Sequence, residues 1–197
     1  LGAQEVSSTS WDAAISAYKA DQLDTALSML TDYRQSFPAD SRADDALWFI
    51  GRIHAKAGRA VQAEQAFREV MALPSRSNRF SEAARDLARL LASQGRASEA
   101  IGVLESARPA GRPSGDARRV VRLLAELLAD RAAADRKAYR DRQAQEGWLQ
   151  AASLYAQLVE EPEDAAELQD DLGALGSVWE DLARAAPDAA AHEAARG

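Results

Sequence analysis

The sequence predicts an all-α fold, a solenoid of stacked helical hairpins, and three observations carry that reading. Ala dominates the chain, Leu and Arg are common, and β-branched and aromatic residues are sparse. Ala gives up no side-chain entropy in a helix, and Leu and Arg give up little. Most of the 6 Pro lie between apolar-periodic segments rather than inside them. The third observation is a repeat. The segments 21–30 (DQLDTALSML), 58–67 (GRAVQAEQAF) and 95–104 (GRASEAIGVL) align without a gap. Ala26, Ala63 and Ala100 recur 37 residues apart; Leu30, Phe67 and Leu104 keep the same spacing, and so do Gly58 and Gly95. A fixed period of this length marks a unit that buries its apolar face only by stacking on its neighbours.

Each unit reads as helix, turn, helix. Leu47, Ile50, Gly51 and His54 show the three-to-four spacing of a buried helix face, and Leu87, Ala88 and Leu91 repeat it one period later. Gly58 and Gly95 suit the left-handed residue that closes a first helix. The small Ala lets the second helix come close, and the large residue four positions on fills the space below it. Pro38, Pro74 and Pro109 then stop the second helices, because proline cannot continue one.

These residues resemble a known family. Gly51, the Ala63 and Phe67 pair and the Pro-terminated second helix are similar to the tetratricopeptide repeat pattern. The stretch Pro38-Ala-Asp-Ser-Arg-Ala-Asp-Asp-Ala-Leu-Trp-Phe-Ile-Gly51 and the segment 17–26 (AYKADQLDTA) resemble bacterial cell-envelope members. Those members include the Tol–Pal-associated division coordinator and the lipoprotein of the outer-membrane assembly machine. The resemblance covers residues 8–109. It departs from the pattern at Ala14, which stands where Gly is usual, and at Arg108-Pro109, where the linkage is not repeated. It implies a right-handed α-solenoid whose first helices line a concave face that binds a protein or peptide segment. It also implies a periplasmic or outer-membrane-associated setting, with a cytoplasmic one as the alternative.

The chain divides on this reading into three hairpins at 1–109 and a C-terminal part at 110–197. Residues 110–115 (AGRPSG) form the clearest break. Asp116 is expected to cap a helix running to about Gln145, with Val120, Val121, Leu123, Leu124, Leu127 and Leu128 on one face. Gly147 is expected to interrupt, and Trp148–Glu161 to form the second helix of a stretched fourth hairpin. Ala151 and Tyr155 would then hold the Ala and Phe columns, with Pro162 as the stop. Residues 163–185 are expected to form a capping helix through Leu168, Leu172, Leu175, Val178, Trp179 and Leu182. Its acidic run (Glu160, Glu161, Glu163, Asp164, Glu167, Asp170, Asp171) supplies a polar outer face, as terminal repeats need. From Pro187 the tail reads as frayed.

Composition narrows the chemistry. Cys is absent, so disulfides, thiolate metal sites and Cys nucleophiles are excluded. No run of 18 apolar residues exists to span a membrane, and a signal peptide is either removed or was never present. The net charge of −7 argues against a nucleic-acid binder. The charge is uneven: residues 108–142 carry 10 basic against 5 acidic side chains, and 143–197 carry 2 against 12. These segments are either an intramolecular complement or two binding faces. His54 falls on a buried face and His192 in the tail; metal sites want clusters, so neither is read as a ligand. Asp44–Asp45 and Asp170–Asp171 read as helix-start or polar-face acids, and Ser114 has no nearby base. No catalytic residue, cofactor or metal is therefore expected.

What is left is a surface. The 37-residue register puts Trp11, Trp48 and Arg85 in one column of the first helices, and Ile15, Arg52 and Arg89 in the next. Tyr18, Ala55 and Ala92 make a third, with Lys19 and Lys56 on the rim. Trp, Tyr and Arg often dominate interface energy. The competing reading packs Trp11 and Trp48 between helices and leaves the arginines to pair with Asp45 or Glu82. The Lys and Asn set that clamps a free peptide C-terminus is missing, since Asn78 is the only Asn. The leading expectation is a non-enzymatic envelope scaffold or adaptor. The alternatives are self-association, with the basic and acidic segments paired between chains, and an accessory domain regulating a cell-wall synthase or transporter.

Overall fold

The computed structural model describes the backbone of residues 3–73, 78–111 and 113–194, and side chains from residue 5 to residue 185 within that span. Among the described residues there are nine α-helices and no strand, in two compact units, 1–93 and 94–197. The boundary between these units falls in the third predicted hairpin. The Pro74 stop lies outside the described residues, as does the side chain of His192.

The first unit holds α1 (Ala3–Lys19), α2 (Leu23–Ser36), α3 (Ala43–Lys56), α4 (Ala60–Met71) and α5 (Phe80–Ser93), each packed on the next. Two turns show how the repeat is closed. Asp21 and Gly58, 37 residues apart, both take positive φ, at 60° and 72°. Behind them Gln22 N–H donates to Ala17 O at 3.0 Å, and Arg59 N–H to His54 O at 2.8 Å. That six-to-one bond satisfies a carbonyl the helix end would otherwise leave open. Gly95, one more period on, has φ 77°.

The small-residue columns are fully buried. Ala26, Ala63 and Ala100 are each 0 % exposed, and Leu30, Phe67 and Leu104 lie buried beside them. Gly51 shows why one position must be small, since a Cβ there would stand 2.6 Å from Phe67 Cε1. Repeat one meets the same need with Ala14, which is wholly buried.

The second unit holds α6 (Ala97–Ala107), α7 (Gly115–Lys137), α8 (Asp141–Glu160) and α9 (Ala165–Ala194), again packed in sequence. It corrects the expected register of the fourth hairpin. The helix does not run to Gln145; α7 ends at Lys137, and the turn is closed by Tyr139 at φ 57°, with Arg140 N–H bonded to Asp135 O at 2.9 Å. Gly147 is no interruption: it is buried inside α8, where a Cβ would stand 2.9 Å from that of Ala132. Counting from the turn as in the other hairpins, Ala144 and Trp148 hold the Ala and Phe columns, and Ala132 the Gly51 column. All three are buried. Ala151 and Tyr155, also buried, lie seven residues too late. A heptad shift keeps nearly the same helix face, which is why the two registers look alike in sequence.

Two smaller corrections follow. The N-cap of α7 is Ser114 rather than Asp116, and its side chain makes no capping bond. The backbone of α9 stays helical past Pro187 to Ala194 instead of ending near 185. The cap also buries less than its periodicity suggests. Val178 is buried, but Leu172 is 48 % and Trp179 53 % exposed.

The acidic run is not simply an outer face either. Arg118 is 1 % exposed, and its guanidinium donates to Leu158 O and Glu161 O at the end of α8. It also pairs with Asp171 at 3.1 Å and Glu167 at 3.2 Å on α9. Arg122 adds a bond to Asp171 at 2.7 Å. Part of the basic segment is thus an intramolecular complement of the acidic one. The charge-paired oligomer loses these groups as its motive.

Candidate partner-binding cleft

All nine predicted surface residues lie in the first unit, on α1, α3 and α5. Four of them line one cleft of about 390 Å³: Tyr18 from α1, Arg52 and Lys56 from α3, and Arg89 from α5. Phe67 and Leu90 supply apolar wall, and Asp86 contributes a carboxylate. The helix register makes this convergence. Residues 52 and 89 are one repeat apart, so they project from equivalent points of successive first helices.

Beside the cleft runs an aromatic seam. Trp11 meets Phe49 edge-on at 6.0 Å between centroids, and Phe49 meets Tyr18 at 5.0 Å and Trp48 at 4.8 Å. Such tilted contacts set the positive ring edge against the negative face. Two guanidiniums lie over Trp48, Arg52 at 4.9 Å and Arg79 at 4.8 Å from the ring centroid. Arg79 is fixed there by Asp45 at 2.7 Å and Glu82 at 2.7 Å, the two acids expected to pair with groove arginines. Trp48 itself is 8 % exposed and donates its Nε1–H to Asp86 Oδ2 at 3.0 Å. It braces the cleft from inside instead of presenting a face to a partner.

The other predicted residues divide. Trp11 is half-buried, tilted against Tyr33 at 5.4 Å between centroids and covered by Arg42 at 5.8 Å. Arg42 also donates to Asp40 and to Ser7 Oγ, and the bonds that Asp40 accepts from Arg42 and the Ser7 hydroxyl hold its carboxyl well below the usual carboxylate range. Ile15 and Arg85 are half-buried, and Lys19 is exposed away from the cleft lining. Lys56 pairs across the rim with Asp21 at 2.6 Å, both largely exposed.

Sequence reasoning missed Phe49 and Asp86. Phe49 was one place off the repeat column, yet the apolar run Leu47–Ile50 is wider than a single helix face and points to a second contact. Asp86 sits between Arg85 and Arg89, where an acid reads as ordinary surface. Burial pushes its carboxyl up, against the opposing pull of Arg52, the Trp48 bond, Arg85 and Arg89. Arg52 reaches it only at 4.0 Å.

Other candidate chemistry stays isolated. His54 lines a separate groove of about 450 Å³ with Gln35, Gln62 and Gln65. Burial, helped by Arg59, lowers its pKa and so favours neutral imidazole. Among the described residues no three acidic or His side chains gather to hold a metal, and no helix is long and apolar enough to cross a membrane.

The comparisons with known proteins agree with this architecture. A search of curated proteins gives no match. A tetratricopeptide repeat protein from Bacteroides fragilis superposes with a TM-score of 0.57 at 13 % identity, over 92 % of this chain and 92 % of its own. BtubC from P. vanneervenii gives 0.53 at 16 %, over 93 % and 76 %. The MamA protein gives 0.52 at 13 %, over 93 % and 96 %. Identities this low speak for the fold alone. The tetratricopeptide repeat family model matches residues 54–127; with hairpins of that type and these structural neighbours, the chain has the all-α fold of the tetratricopeptide repeat solenoids.

Proposed function

We propose that the chain is a protein-interaction scaffold of the kind tetratricopeptide repeats generally supply, and that it holds an acidic partner segment in the α1–α3–α5 cleft. One observation carries the reading. Arg52, Lys56 and Arg89 converge with Tyr18 on a single cleft from three successive first helices. Arg89 has no ion pair among those the structure shows, so a partner carboxylate would meet a donor that is not already taken. The Trp48–Phe49 seam behind it keeps the walls in place before a partner arrives, which lowers the ordering cost of binding.

An acetylated, amidated hexaglutamate peptide tests this directly by isothermal titration at pH 7 and low salt. Arg52→Ala with Arg89→Ala should weaken binding at least about tenfold, the range of two lost charge-assisted bonds. Equal affinity in the wild type and the double variant would remove the cleft from the proposal.

The cell-envelope setting is a proposal resting on the Pro38–Gly51 stretch. A signal peptide or a lipid-attachment Cys encoded upstream would support it. A start codon immediately before this segment would count against it.

A further inference from the structure

The cleft that faces outward with three cations also holds one acid in its wall. Asp86 Oδ2 is engaged, accepting from Trp48 Nε1 at 3.0 Å with Arg52 Nε at 4.0 Å. Among the described residues no hydrogen bond reaches Oδ1. The charged and polar groups around this carboxylate are few. From α3 come Trp48, Arg52 and Lys56; from α1 comes Tyr18; α4 offers Phe67, which is apolar; α5 itself adds Arg85 and Arg89. An acidic side chain entering the cleft therefore comes to the same cations that Asp86 already uses. Two carboxylates at close range cannot both stay ionised cheaply, and one proton shared between them turns repulsion into a hydrogen bond.

We propose that Asp86 couples occupancy of this cleft to proton uptake, so that a partner's carboxylate binds together with one proton shared with Asp86 Oδ1. This rests on the reading of the cleft as an acid-binding site. No bond other than the hydrogen bond is made or broken. The proton comes from solvent and returns to it on release. The half-buried position of Asp86 prepares it for this, since partial burial already disfavours its charge and pushes the carboxyl upward. The consequence is selectivity by pH: an acidic segment is held more tightly as the pH falls and is released as it rises.

The test uses the full chain and the same hexaglutamate peptide, whose carboxyls are largely ionised above pH 5.5. Titration calorimetry at pH 5.5, 6.5 and 7.5, in buffers of different ionisation heat, reads affinity and proton number together. The wild type should take up a proton on binding, its uptake approaching one, and tighten by up to about tenfold per pH unit. Asp86→Asn keeps the size and places a donor where the proton would sit. It should bind at least as tightly at pH 7.5, with uptake near zero and the pH slope flattened. His54 lies in the other groove and is common to both proteins, so any slope it contributes would persist in the variant. Binding that is lost on Arg52→Ala with Arg89→Ala but shows no uptake, or the same uptake in Asp86→Asn, would overturn the proton coupling and leave the acid-binding cleft standing. Absence of binding at every pH would overturn both.

Discussion

Arginine does different work in the two units. In the first, Arg52 and Arg79 lie over the Trp48 ring with part of each side chain in water, 43 % and 29 % exposed. In the second, Arg118 is 1 % exposed and spends its donors on two carbonyls and two carboxylates. The flat, weakly hydrated guanidinium suits both roles. Stacking costs either arginine little solvation; Arg79 is committed to Asp45 and Glu82, while Arg52 reaches an acid only at 4.0 Å. The buried Arg118 is fully committed, and what it holds is the corner between α8 and α9. The difference separates the arginines of the proposed cleft from a structural lock, although both are rows of Arg in the sequence.

Three substitutions would break or sharpen that contrast. Arg118→Met should cost the most, about 3–5 kcal/mol in urea unfolding, because it strips Asp171 of one buried partner and orphans the Leu158 and Glu161 carbonyls. A loss below about 1 kcal/mol would mean that the lock is redundant with Arg122. Arg79→Met comes next. It removes the guanidinium from the Trp48 face and the bonds to Asp45 and Glu82, for an expected loss of about 1–2 kcal/mol. Near-UV circular dichroism should change with it as the Trp48 environment loosens; an unchanged spectrum would argue against stacking. Lys56→Met is the smallest, within about 1 kcal/mol, since its pair with Asp21 is solvent-exposed. A large loss there would show that the rim is as structural as the lock.

The first unit was legible because its signals are local and repeated. Ala63, Phe67 and Gly58 sit at fixed offsets, and the physics behind each, a close approach, a space to fill and a left-handed turn, acts within a few residues. The fourth hairpin was legible in kind but not in phase. Tyr139 closes its turn where glycine would have announced it, and Ala144 with Trp148 resembles Ala151 with Tyr155 one heptad on. Of the cleft, the register found Tyr18, Arg52, Lys56 and Arg89, because equivalent helix positions project alike. It did not find Asp86, and it could not say that Trp48 turns inward. Both depend on how deep a neighbouring helix sits, which a single helix's periodicity does not contain. Similarly, charge counting noticed a basic and an acidic segment but not that Arg118 reaches Asp171.

The turn residues have a consequence for how this chain tolerates change. From Asp21 to Gly58 to Gly95 the step is 37 residues, and from Gly95 to Tyr139 it is 44, seven more. The interval inside each hairpin does not change: Ala14 to Ala26, Gly51 to Ala63, Ala88 to Ala100 and Ala132 to Ala144 all span twelve. The added length appears instead at the start of α7, which has 23 residues where α3 and α5 have 14. That extension is the piece that carries Arg118 and Arg122. Phase is thus kept in the sequence by a constant interval inside each hairpin, while the segment ahead of a hairpin is a margin in which new side chains can be placed without changing that interval.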